Sequence, residues 1–287
     1  MKKNRIVVLR VFRLAGVFVW AMALSLQGVA LAQGVAMVLD RAGSVETVSA
    51  GKISRLNVLD YLAADAELRV AAGASATLVY LGNSREWQFT GAGRYRLQAD
   101  QPVVLQGSAP KVRGVPVPAA QAMVRLEPAQ RERLALGAMV MRGDGPLRIV
   151  SPNGVDVLDA RPTLLWLAGE GQPVRVSILD EAQRSLAETV TSAAQWSMPR
   201  ELDPGDYTWR IEVASSGGGS PRLGRFRVIG ANDERREMLR AAPGEFAQRV
   251  AHAIMLESQD LPHDALLLWR ALAAERPDEE SLKQWAR

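Results

Sequence analysis

Two histidines, His252 and His263, and no cysteine are all that the 287 residues offer to thiolate, zinc or Ser-His chemistry. A zinc enzyme draws on three protein ligands. Two histidines eleven residues apart, one within a helical pattern and one at the next helix start, supply too few and read as solvent-facing. Asp156 with Asp159, and Asp203 with Asp206, are the carboxylate pairs that invite an acid–base or calcium reading. Hydrolytic carboxyls must face each other across a substrate and calcium takes six or more oxygens; two per pair fall short, and Asp in such positions stabilises turns through its own side chain. Arg131 and Arg133 beside Glu132 read as a solvated helix face. No Gly-rich phosphate loop follows a strand, and neither G-x-S-x-G nor H-E-x-x-H occurs. The expectation is a protein with no catalytic, cofactor-binding or metal-ligating residues, and therefore not an enzyme. Trp87 and Trp196 could stack a sugar only if exposed, and strand alternation predicts both buried.

The compartment is indicated by the N-terminus. Lys2, Lys3, Arg5, Arg10 and Arg13 precede an uncharged run from Leu14 to Leu31, and Ala30-Leu31-Ala32 fits a small-x-small cleavage site before Gln33. Residues 1–32 therefore read as a secretory signal peptide, with an uncleaved anchor as the competing reading because the run approaches the roughly 20 residues that span a bilayer. That segment carries five of the 35 basic and none of the 31 acidic residues, so residues 33–287 hold 30 basic against 31 acidic, a net charge of −1. The basic balance of the whole chain thus belongs to the leader and does not imply a nucleic-acid partner. Without disulfides, apolar burial must hold the exported modules together.

The elements that would position any site are mostly strands. From 33 to 106, short strands at Ala36–Leu39, Ser44–Val48, Leu68–Val70, Ala76–Leu81, Trp87–Phe89 and Tyr95–Leu97 are separated by Gly, Asn and Asp, which predicts a sandwich or stacked roll. The stretch from Leu59 through Tyr61, Leu68, Val70, Gly73 and Tyr80 to Gly82, with Gly91-Ala92-Gly93-Arg94-Tyr95 as a further hairpin, resembles the periplasmic domain of the FecR family. That resemblance implies a β domain of the cell envelope. FecR proteins signal to a sigma factor through a cytoplasmic tail, and at most 13 residues precede the uncharged run here, so the resemblance does not extend to that role.

Residues 107–145 read as a linker, because Pro110, Pro116 and Pro118 with Gly107 and Gly114 oppose regular structure. It includes a short helix between Pro128 and Gly137 and a strand at Ala138–Met141. From 146 to 230 a second sandwich is expected, with strands at Thr163–Leu167, Pro173–Leu179, Leu186–Thr191, Tyr207–Val213 and Leu223–Ile229, and with Trp166, Trp196 and Trp209 sharing its core. Pro204 and Gly205 specify the turn that feeds Tyr207, Trp209, Ile211 and Val213 onto one face. Ser151-Pro152-Asn153-Gly154, Pro162 to Trp166 and Leu202-Asp203-Pro204-Gly205-Asp206-Tyr207-Thr208-Trp209-Arg210 are similar to the immunoglobulin-like or fibronectin-III-like repeats of bacterial exported proteins. The resemblance implies a recognition spacer, and fold alone assigns no ligand.

Residues 231–287 turn to a 3.6 period. Helices are expected at Asn232–Arg240, Pro243–Glu257, Pro262–Glu275 and from Pro277 onward, each Pro in a first turn, with Asp260 and Asp278 near positive helix ends. Ala253, Ala265, Trp269 and Pro277 resemble the second helix of a tetratricopeptide repeat. One such unit is too short for a solenoid, so it must dock on the sandwich or on another protein, and Ile254, Leu256, Leu268, Trp269 and Leu272 are its expected core.

The fold class expected is mainly β: two sandwich or roll domains in tandem with a small C-terminal helical hairpin. The function expected is that of an exported, periplasmic, non-catalytic binding or scaffold protein acting on a protein partner in the cell envelope, with no nucleic acid and with a membrane only if the leader is uncleaved. The alternatives are a membrane-anchored signalling accessory of FecR type and a glycan-binding or glycan-processing protein.

Overall fold

A computed structural model describes residues 34–115, 119–126, 147–215, 220–239 and 244–287. The leader, the expected helix after Pro128, the strand at Ala138–Met141 and Pro243 lie outside them. The protein is mainly β, with two sandwiches in tandem and a few short C-terminal helices.

The first sandwich faces one five-stranded sheet against another. One sheet has the order β10 (Lys111–Gly114), β7 (Arg85–Thr90), β6 (Ser75–Tyr80), β1 (Ala36–Ala42), β4 (Tyr61–Leu62). The other runs β3 (Lys52–Arg55), β2 (Val45–Ser49), β5 (Glu67–Val70), β8 (Gly93–Leu97), β9 (Pro102–Gln106). Leu68, Leu78, Tyr80, Phe89, Tyr95 and Leu97 fill the space between them, with Phe89 and Tyr95 edge to face at 4.7 Å. Gly93 is required there, because a Cβ would collide with the Tyr95 ring and hydroxyl.

Two expectations are corrected. Gly91 to Tyr95 is not a hairpin: β7 and β8 belong to different sheets, and the turn, with Gly91 at φ 75°, carries the chain across the sandwich. Lys111–Gly114, inside the stretch expected to be irregular, pairs with β7 as an edge strand, where prolines outside its four residues do not interrupt the ladder. The hairpin of β2 and β3 closes through Ala50 and Gly51, both at positive φ, as a two-residue turn requires.

The second sandwich sets a three-stranded sheet, β11 (Arg148–Ser151), β13 (Thr163–Leu167), β16 (Gln195–Ser197), against a five-stranded one, β12 (Val155–Val157), β18 (Arg222–Val228), β17 (Gly205–Val213), β14 (Val174–Leu179), β15 (Ser185–Thr191). All pairings are antiparallel except β12 with β18. Trp166 and Trp209 meet in the core at 6.4 Å, while Trp196 packs at its margin. Trp209 donates its indole N–H to the Pro152 carbonyl at 2.8 Å. The Tyr207 hydroxyl donates to the Asp203 carbonyl at 2.8 Å, the corner contact by which immunoglobulin-like sandwiches fix the start of this strand.

The helices decide how the two sandwiches are joined. α1 (residues 119–126) and the later helices α3 (Phe246–Ser258), α4 (Pro262–Glu275) and α5 (Glu280–Trp285) cover the outer face of the sheet that contains β1. Met37, Leu39 and Val79 on that face share one core with Val250, Ile254, Leu256, Trp269, Leu272, Leu282 and Trp285. α2 (Glu234–Leu239) lies beside the second sandwich. Pro262 is in the first turn of α4, as expected. Pro277 is not inside α5, which begins at Glu280 with Glu279 as its cap residue. The reason is tertiary: Glu279 is drawn inward to Arg41 at 2.5 Å and to the Val58 N–H at 2.9 Å.

Arg41 and Glu279 have side chains 4% and 1% exposed. Removing one partner of a buried pair costs about 3–5 kcal/mol; without Glu279, Arg41 keeps only the half-exposed Asp278 at 2.8 Å as a counter-charge, which places the loss at the lower end. An exposed pair such as Lys283–Glu280 contributes roughly 0.2–1 kcal/mol. Glu279→Ala is therefore expected to lower the urea midpoint by the larger amount and Glu280→Ala to leave it nearly unchanged. Equal effects in equilibrium denaturation would contradict the assignment of the buried pair.

Candidate functional site

The fold places one histidine far from where the residue pattern put it. His263 is fully buried rather than solvent-facing, because the first turn of α4 inserts against the second sandwich. Its Nδ1 lies 2.9 Å from the Ser151 hydroxyl at the end of β11. Burial, with a smaller repulsion from Arg270, pushes the imidazole down to about 4. The neighbouring Asp264 accepts the Leu158 N–H at 3.1 and 3.3 Å through its two oxygens, and burial raises its carboxyl to about 6. His252 is half-buried and its pKa is lowered by burial.

A serine and a histidine within hydrogen-bond reach constitute half of a nucleophilic apparatus, so this contact needs testing against chemistry. A reacting serine must meet a substrate, and Ser151 is 7% exposed with its partner at 0%. The third member of a relay would orient the imidazole, yet Asp264 spends its carboxylate on a backbone amide of the segment after β12. The contact is a structural fastening between a helix and a sandwich.

The carboxylate pairs are dispersed by the fold. Asp156 sits on β12 and binds Arg227 at 2.9 Å and Arg235 at 2.7 Å, so it is a strand residue in an ion-pair network and not the turn stabiliser expected. Both arginines hold its carboxyl below the usual range. Asp159 does fill the turn role, accepting the Arg161 N–H at 2.8 Å. Asp206 is exposed on β17. It lines an open groove of about 500 Å³ with Asp156, Asp180, Tyr207, Arg225 and Arg227. Asp180 is itself held by Arg184 at 2.8 Å. Among the described residues no group of three His, Asp or Glu side chains is placed to hold a metal ion.

Among the described residues, sheet edges are open as well. β15 is the last strand of its sheet, seven residues long, with Val190 53% exposed. β3 and β9 bound the outer sheet of the first sandwich, with Ile53, Val104 and Leu105 exposed. Trp87 and Trp196 pack against the two cores but are half-buried rather than buried as the alternation predicts. No described helix is long and apolar enough to cross a membrane.

No family model matches the chain, and no curated protein matches it. Among solved structures, the fibronectin(III)-like modules of Clostridium thermocellum CbhA align with 29% of this chain and 95% of their own, at 11% identity and a TM-score of 0.22.

Ser151→Ala would orphan the buried Nδ1 of His263, at a cost of about 1–3 kcal/mol, visible as a lower unfolding midpoint. The native protein should not react with a fluorophosphonate probe at Ser151. Labelling there, read by peptide mass, would show an accessible nucleophile and overturn the structural role.

Proposed function

We propose that this chain is an exported, non-catalytic binding or scaffold protein of the cell envelope that works by protein–protein recognition. The observation that carries the reading is the edge of β15, which no strand among the described residues extends and where Arg200 holds the Leu186 carbonyl, on a sandwich whose core is filled. An edge strand offers unpaired backbone groups to which a partner strand can add, with side-chain pockets giving selectivity. The helical end, read from sequence as a possible partner groove, has its apolar face occupied by the sheet of the first sandwich, so recognition moves to the edges and loops. The leader, the FecR-like reading of residues 33–106 and the tetratricopeptide-like reading of the C-terminus belong to the same proposal. They fit an envelope protein in which modular β units are spaced and joined.

Intact mass and fractionation after expression of the full gene in a Gram-negative host test the compartment. A soluble periplasmic species starting at Gln33 is expected; a full-length species in the inner membrane would favour the signalling accessory. A photo-cross-linker at Glu188 on β15 tests the edge, with one at Glu181 as the loop control. Adducts from 188 alone are expected, and Val190→Lys should abolish them, since a charge at an open edge blocks strand addition. Equal adducts at both positions, or adducts that survive Val190→Lys, would remove the edge from the proposal.

A further inference from the structure

The helical end grips the two sandwiches with different chemistry. On the first it uses ions: Glu279 on Arg41, and Asp278 on Arg41 and Arg55 at 2.8 and 2.7 Å. On the second, beside the Arg235–Asp156 ion pair of α2 at 2.7 Å, it uses two consecutive residues of α4, His263 on Ser151 and Asp264 on the Leu158 amide, with Arg236 of α2 donating to the Leu158 carbonyl at 2.9 Å. A fully buried base and a half-buried acid thus sit side by side, neither paired with an opposite charge. The charged or titratable groups around them are Arg270 on α4, Asp159 after β12 and Arg236.

We propose that His263 and Asp264 form a charge-compensated joint, in which the proton linkages of a sheltered base and a sheltered acid cancel and hold α4 on the second sandwich across acid and neutral pH. Burial disfavours the charged form of both groups, but for histidine the charged form is the protonated one and for aspartate the deprotonated one. The two linkages therefore have opposite signs. His263, at about 4 when seated and 6.5 when free, favours opening as pH falls through that interval. Asp264, at about 6 when seated and 3.8 when free, favours closure as pH falls from 6 to 3.8. The windows overlap almost completely. A protein exposed to external acidity keeps its modules joined in this way, without a buried ion pair at the joint.

The full-length protein and two variants with uncharged side chains test it, through the protection factor of the Leu158 amide, normalised for intrinsic exchange, at pH 7 and 4.5. In the unmodified protein joint opening should change by less than about 5-fold. Asp264→Asn leaves histidine uncompensated, and acid should raise opening on the order of 50-fold. His263→Asn keeps an acceptor for Ser151 and leaves aspartate uncompensated, so acid should reduce opening about 20-fold. Amides of β6 in the first sandwich serve as the internal reference. Acid opening of the unmodified joint by more than 10-fold overturns the proposal, as does a flat response in Asp264→Asn. Should one variant fail to fold, the unmodified protein and the other variant still decide between these outcomes.

Discussion

The structure depends on a strand that is apolar on both sides. Ala36, Met37, Val38 and Leu39 of β1 are all fully buried, and strand geometry sends alternate side chains to opposite faces. Ala36 and Val38 close the core between the two sheets, which leaves Met37 and Leu39 on what would be the outside. At roughly 25 cal/mol per Å² of apolar surface, that face cannot be left in water in a chain with no disulfide to compensate. The C-terminal helices resolve it, adding a third layer. Residues 34–287 consequently cluster as one compact unit, although the sequence pattern divides them into modules.

Covering that face brings β1 and the C-terminal helices together and creates fastenings between residues more than 200 positions apart. Arg41 with Asp278, Val58 with Glu279 and the Val58 carbonyl with Ser281 are all of this kind. The ion pair of Arg41 with Glu279 is the most consequential, because its two charges are desolvated together, whereas Asp278, the second carboxylate on Arg41, stays half in water. The helices reach the second sandwich through the His263–Ser151 contact, through Asp264 and Arg236 on the Leu158 backbone, and through the Arg235–Asp156 ion pair. The buried titratable groups that first suggest chemistry are accounted for by this joining role.

The second sandwich needs less help. Its two central tryptophans, the indole bond to Pro152 and the Tyr207 corner fix the packing of its sheets from within. Gly224 makes room for Trp209, since a Cβ there would collide with the indole nitrogen. With its core closed internally, this sandwich leaves its longest edge strand, β15, without a further strand beside it among the described residues.

Local signals made the main elements legible. Thr163–Leu167 coincides with β13 and Pro262–Glu275 with α4, since alternation, helical period and proline placement act within a few residues. The inward face of Trp209 and Ile211 was readable for the same reason. Short strands such as β3, β4 and β16 were not, because two to four residues carry too little pattern and exist through their partners. The burial of His263, the pairing of Glu279 and the two-sided burial of β1 were decided by tertiary structure alone. Period and turn chemistry specify which face of an element is apolar. What covers that face depends on residues distant in sequence, and no local pattern records it.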